Sequence, residues 1–171
     1  MLQVHQSMKA LTMTQPWATL VAIGENRIET RSWPTKHRGP LAIHAAKGFP
    51  ADARALCRES PFREVLARHG YADAADLPTG AVLALVHLDD VLAFGDSTLR
   101  DVRSRSAAGL LPEHEGDFGD FSPGRYGFVL SDVRRLRAPI PVRGMLGLWE
   151  LPADVEAAAR AQVASGFVKK R

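Results

Sequence analysis

Gln15-Pro16-Trp17-Ala18-Thr19-Leu20-Val21-Ala22-Ile23-Gly24, running on to Arg27-Ile28-Glu29-Thr30-Arg31-Ser32-Trp33, sets a short helix directly before a charged strand. Thr14 stands where an N-cap is expected, Pro16 suits a first helical turn, and Gly24 is a ready C-terminal stop. Leu20, Val21 and Ile23 supply the apolar side of a helix over about 15–23. In the strand that follows, side chains alternate, so Arg27, Glu29, Arg31 and Trp33 share one face while Ile28 and Thr30 share the other. A simple core strand would not line up Arg, Glu, Arg and Trp. The row reads as the floor of a site.

Outward from this stretch, the pattern predicts strands over 9–13 and 41–46, the second bounded by Gly39-Pro40 and Gly48-Phe49-Pro50. Residues 51–69 follow a helical period that Pro61 interrupts, which implies two short helices or a kinked one. Near-continuous apolar residues over 80–91 mark a buried strand. From Gly95 to Gly124 the periodicity fails; at most one short helix, near 97–105, is expected in what reads as the loosest part of the chain. Strands return over 126–130, 133–142 and 145–151, with Pro139 and Pro141 marking an edge or irregular strand. A helix over 153–165 follows, opened by Pro152 and ended by Gly166, and the tail 167–171 is expected to fray. Short strands without βαβ alternation argue for an α+β domain on a small curled sheet or barrel.

At 171 residues the chain suits one domain with a substantial core. Cys57 is the sole cysteine, which rules out an intrachain disulfide and a Cys-based zinc site and suggests a reducing, cytoplasmic setting. The first seven residues carry no charged leader or apolar h-region, and no stretch approaches the roughly 18 apolar residues of a membrane span. Neither secretion nor membrane insertion is expected. The net charge of +3 hides an asymmetry: +4 over 1–50, −6 over 51–120 and +5 over 121–171. If the two ends share a sheet, their positive charge converges on one surface, the footprint of a polyanion partner.

Gln15-Pro16-Trp17-Ala18, Gly24-x-x-x-x-Glu29-x-Arg31-Ser32-Trp33, Arg38-Gly39-x-Leu41-x-Ile43-His44-Ala45-Ala46-Lys47 and Gly147-Leu148-Trp149-Glu150 together resemble the ASCH domain, a member of the PUA-like superfamily of small β-barrels. Phe118-Gly119-Asp120-Phe121-Ser122-Pro123-Gly124-Arg125-Tyr126 is similar to bacterial and phage members. The resemblance implies a PUA-like β-barrel with flanking helices over 8–152, followed by a C-terminal helix and basic tail over 153–171. It also implies a cleft beside the first helix and binding of RNA or another nucleic acid. One departure bears on chemistry. The family pattern is commonly Gly-x-Lys-x-x-Glu-x-Arg, and Asn26 occupies the lysine position. Some small proteins resembling the family hydrolyse an acylated cytidine with a lysine in this region; an amide is neither nucleophile nor general base in that sense.

The expected partner is RNA or a single-stranded or modified nucleotide, with no cofactor and no metal. Arg27, Arg31, Arg38, Lys47 and Arg125 are candidates for phosphate contacts. Trp33 and Tyr126 are candidates for stacking, with Trp17 equally suited to core or site, and Gln15 and His44 for reading a base edge. Glu29 would fix the fork of Arg31. The rival is a nuclease or nucleoside amidohydrolase with Glu29 or His44 as general base. Trp149, between Leu148 and Leu151, is expected in the core. His114 among Glu113, Glu115, Asp117 and Asp120 follows no metal-ligand spacing and reads as a solvated acidic loop.

Overall fold

The computed structural model describes residues 6–164. Within them β1 (Lys9–Met13), β2 (Ile28–Arg31), β3 (Gly39–Ala45), β4 (Ala81–Ala93), β5 (Tyr126–Pro141) and β6 (Leu148–Glu150) form one mixed sheet in the order β2-β5-β4-β3-β1-β6. β1 and β3 run parallel; the other neighbours are antiparallel. Register shifts between β4 and β5 at Val82/Ala84, Leu85/His87 and Leu88/Asp90 insert bulges into the two longest strands. Each bulge bends its strand and adds twist, so the sheet curls into a half-barrel. The expected pair of strands over 126–142 is one continuous strand that turns through Asp132, whose φ of 47° lies in the left-handed region. Among the described residues β5 pairs beyond Leu130 with β4 alone, so Pro139 and Pro141 sit on an edge as anticipated.

Alternation along β1 assigns its residues to two cores. Leu11 and Met13 face α1 (Trp17–Ala22), which packs Ala18 and Val21 onto Leu41, Ile43, Phe128 and Leu130. Ala10 faces the other way, where Trp149, Val82 and Leu85 meet Val155 and Ala159 of α5 (Ala153–Ala164). Both faces are therefore covered by helices. Trp149 is core, as expected, and its Nε1 donates to Thr12 Oγ1 at 3.0 Å. α5 is further tied to the start of the sheet by Glu156, which accepts the Met8 amide at 3.1 Å. The expected end of this helix at Gly166, and the tail, lie outside the described residues.

Local signals place the other helices. Pro61 does divide the 51–69 pattern, giving α2 (Ala51–Leu56) and α3 (Phe62–Arg68). Gly24, with φ +80°, ends the turn after α1 in a conformation that glycine adopts freely. Thr14 is not the N-cap: Pro16 holds that position without a side-chain bond. Buried Gln15 serves instead, its Oε1 accepting the Thr19 amide at 3.0 Å.

The stretch 95–124 holds α4 (Thr98–Ala107) and a 3-10 turn over Glu115–Asp117. It is pinned rather than loose. Phe118 packs with Leu20, Phe62 and Val65, and Phe121 with Ile28, Phe94 and Val102. Glu115, expected in a solvated acidic loop, is fully buried and receives the amides of Arg27 (3.0 and 2.9 Å) and Ile28 (2.7 Å) at the entry to β2. With its amide nitrogen turned toward them, buried Asn26 donates to Glu115 Oε1 at 2.9 Å and to Ile28 O at 3.1 Å. These anchors are single residues without a period, which is why the pattern predicted slackness. Among the described residues no cluster of His, Cys, Asp and Glu is arranged to hold a metal ion. None of the described helices is long and apolar enough to cross a membrane.

Replacing Trp149 with Ala should cost about 3–5 kcal/mol in urea unfolding, the range for a large buried aromatic. Trp33→Ala should cost clearly less, because Trp33 is only partly buried against the core; equal losses would make Trp33 an anchor of the same rank. Burial pushes the Glu115 carboxyl up to about 7, although the Arg27 and Ile28 amides pull it down. Between an ordinary carboxylate pKa near 4.5 and that value, the unfolded chain is the more ionised state. The contribution to stability is therefore present at low pH and lost as pH rises through about 7, by roughly 2–4 kcal/mol. Unfolding at pH 5 and pH 8 should display this loss in the wild type and a much flatter response in Glu115→Gln; parallel responses would refute it. The comparison also removes His44, whose lowered pKa acts in the opposite sense.

Candidate functional site

A cleft of about 510 Å³ opens between the ends of β1 and β2, α1 and the 117–120 segment. β2 sends Glu29 and Arg31 to the same face, as the alternation predicted, and Arg31 Nε donates to Glu29 Oε1 at 2.9 Å. Arg31 Nη2 donates to Thr12 O at 2.9 Å, which holds the guanidinium against β1. Nη1 of Arg31 and Oε2 of Glu29 are left without a protein partner among the described residues. Burial raises the Glu29 pKa, and the positive charge and hydrogen bond of Arg31 pull it back. The pair thus presents one unused donor group beside one unused acceptor oxygen.

The opposite wall is aromatic. Trp17 stands in the lining, its Nε1 donating to Phe118 O at 2.7 Å and its ring edge-on to Phe62 at 6.2 Å. Phe62 and Phe118 complete this wall. The rim is set by Asp120, whose amide donates to Thr30 Oγ1 at 3.0 Å and whose backbone oxygen accepts from Arg125 Nε at 3.3 Å. Hydrogen bonds from Ser122 hold the Asp120 carboxyl below its usual range. Glu29, Asp117 and Asp120 stand against Arg31 and Arg125, so the cleft is mixed in charge rather than basic.

Four of the expected residues meet here: Trp17, Glu29, Arg31 and Arg125. Others do not. Gln15 is fully buried, and its nitrogen donates to Thr19 Oγ1 (2.8 Å) and Pro78 O (2.7 Å), so no part of its amide is free to read a base edge. Trp33 lies outside the lining, edge-on to Phe128 at 5.3 Å, with Arg31 Cζ 5.9 Å from its ring. Arg27 precedes β2 and Tyr126 opens β5 opposite Arg31, and neither lines the cleft. Arg38 turns onto Thr35 O, His37 O and, at 3.4 Å, Asp90.

His44 and Lys47 border a second, larger cavity of about 1030 Å³. The His44 Nε2 lies 2.8 Å from Val142 O, an acceptor, so the proton resides on Nε2. Nδ1 then accepts from the Thr12 hydroxyl at 3.2 Å, which in turn receives the Trp149 indole proton. Burial lowers the His44 pKa and favours this neutral form. Both ring nitrogens are engaged within the protein. Sequence reasoning missed Phe62, Phe118 and Asp120 as cleft residues; the Phe118–Tyr126 stretch was the available signal.

The sequence profile of the ASCH domain matches residues 11–126. Activating signal cointegrator 1 of Mus musculus is 27% identical over 150 residues, and that of Homo sapiens 26%; each alignment takes in 88% of this chain. The chain spans only 23% of the length of those relatives. Among solved structures, ASCH from Zymomonas mobilis superimposes with a TM-score of 0.52 at 14% identity, covering 91% of this chain and 94% of that one. At that identity the likeness concerns the fold alone.

Proposed function

The chain belongs to the ASCH domain family, and from that premise we propose that it binds RNA, or a single-stranded or modified nucleotide, with one unstacked base in the cleft beside α1. The Arg31–Glu29 pair carries this reading. A nucleobase edge offers donors and acceptors side by side, and the unused Arg31 Nη1 and Glu29 Oε2 match that alternation. The aromatic wall of Trp17, Phe62 and Phe118 supplies apolar surface for the ring. Three carboxylates in the lining disfavour a phosphate there, so the backbone would run outside the cleft, where Arg27 and Arg38 remain candidates for phosphate contacts and Tyr126 for stacking.

A hydrolytic reading, as nuclease or nucleoside amidohydrolase, draws on the raised pKa of Glu29, the property a general base or acid needs. Binding is the preferred reading because Asn26 is buried on Glu115 and does not line the cleft. His44 has no free nitrogen to act as a base.

With about four phosphate contacts, the affinity for single-stranded RNA should fall with salt on a log–log slope of roughly −3; a flat response would remove backbone binding. Arg31→Lys should weaken binding about tenfold, since an ammonium cannot bridge Glu29, Thr12 O and a ligand as the planar fork does. Glu29→Gln keeps one acceptor and should weaken binding only modestly, with no turnover of RNA or acylated nucleosides before or after the change. Wild-type turnover that drops by roughly 10²–10⁴ in Glu29→Gln would instead establish the hydrolase.

A further inference from the structure

We propose that the second cavity, between β3, the end of β5 and the 142–147 loop, is a second nucleotide subsite that holds the same strand beyond the base in the first cleft. The inference rests on the nucleic-acid reading above. Thr12 belongs to the lining of both cavities, so they adjoin across one residue of β1. The second differs from the first in charge. Lys47 and Arg143 border it, and among the described residues no carboxylate does. Both cations are exposed and have no ion-pair or hydrogen-bond partner among the described residues, unlike Arg38 with Asp90 or Arg125 with Asp120. Two unpaired cations beside a roomy pocket suit a phosphodiester.

The same wall carries apolar surface in the open. Met145 is 62% exposed and Leu146 98%. An exposed apolar pair beside unpaired cations matches a nucleotide, whose base needs a face to lie on and whose phosphate needs charge. The loop that presents these groups is built to hold its place. The Val142 amide donates to Gly80 O at 3.1 Å, and Val142 O accepts from His44 Nε2 at 2.8 Å. Gly144 lies directly on the imidazole: a Cβ there would come within 2.6 Å of His44 Cε1 and 2.7 Å of Thr12 Oγ1. Only glycine allows that approach. The hydrogen-bonded chain Trp149–Thr12–His44 therefore seats Val142 and Gly144, and with them the backbone that carries Arg143.

The test compares single-stranded RNAs of three and twelve nucleotides by fluorescence anisotropy. It uses the wild type, the Lys47→Ala/Arg143→Ala double variant, Leu146→Ser and, as reference for the first cleft, Arg31→Ala. The double variant should weaken the 12-mer at least tenfold and make its salt slope shallower by about 1.4, two contacts at roughly 0.7 each. Its trinucleotide affinity should stay within twofold of the wild type, and its melting temperature should be unchanged because both residues are exposed. Leu146→Ser should weaken the 12-mer alone, whereas Arg31→Ala should weaken both lengths. Unchanged 12-mer affinity and slope in the double variant, with the dependence on Arg31 retained, would overturn the second subsite and leave the first standing. A wild type that binds neither RNA would overturn both.

Discussion

A carboxylate at Glu115, taken wholly out of water, is the constraint on which the first cleft depends. It lies far along the chain from the amides it accepts, those of Arg27 and Ile28, and it joins the aperiodic stretch after α4 to the first residues of β2. A buried charge is costly unless every lone pair is met by a donor. Two backbone amides, that of Arg27 shared between both oxygens, and the Asn26 amide supply the donors here. Once that turn is fixed, Phe118 and Asp120 can only fall where they do, the one against Phe62 and the other on Thr30. The clasp also accounts for Asn26. In that position it is a donor to the carboxylate, within a structural network and away from the cleft.

Pleat geometry explains why residues that look like one set in sequence occupy two places. β1 and β3 lie side by side in parallel register, with Thr12 opposite His44. Successive residues face opposite sides of the sheet, so Met13 and Ile43 go to the α1 core while Thr12 and His44 go to the Trp149 side. Glu29 and Arg31 come from the far edge of the sheet, across the curl of β4 and β5. Curvature brings that edge round to the end of β1, where Thr12 O accepts from Arg31. Without the bulges the first cleft would not close.

The sequence was legible wherever a period existed. The strand over 9–13, the split at Pro61, the Glu29/Arg31 face and the core position of Trp149 all follow from alternation, helical spacing or one proline. Legibility failed where a single side chain acts at long range. Nothing local marks Glu115 as buried, because its neighbours Glu113 and Asp117 are exposed and its partners lie on β2. Gln15 failed for a related reason. Its place in the stretch that resembles the family suggested base reading, but its amide is needed inside, on Thr19 and Pro78. The division of His44 and Lys47 from Arg31 is a property of the folded sheet and has no one-dimensional signature.

Charge was the most misleading signal, and it is also the most informative once located. Basic ends suggested a basic groove, yet most arginines near the first cleft already face carboxylates: Arg31 with Glu29, Arg125 with Asp120, Arg103 with Asp117. Such pairs have little field left for a distant polyanion, but they hold planar donors and acceptors in fixed directions. That is the requirement for reading the edge of an uncharged ring. Cations with no ion-pair partner among the described residues, of the kind that neutralise phosphate, stand elsewhere, at Lys47 and Arg143. On the nucleic-acid reading the two functions are therefore divided across β1, with recognition of the base where the charges are matched and retention of the backbone where they are not. A strand that loses its grip on the second region would still find the first cleft intact, and discrimination between bases should survive a loss of overall affinity.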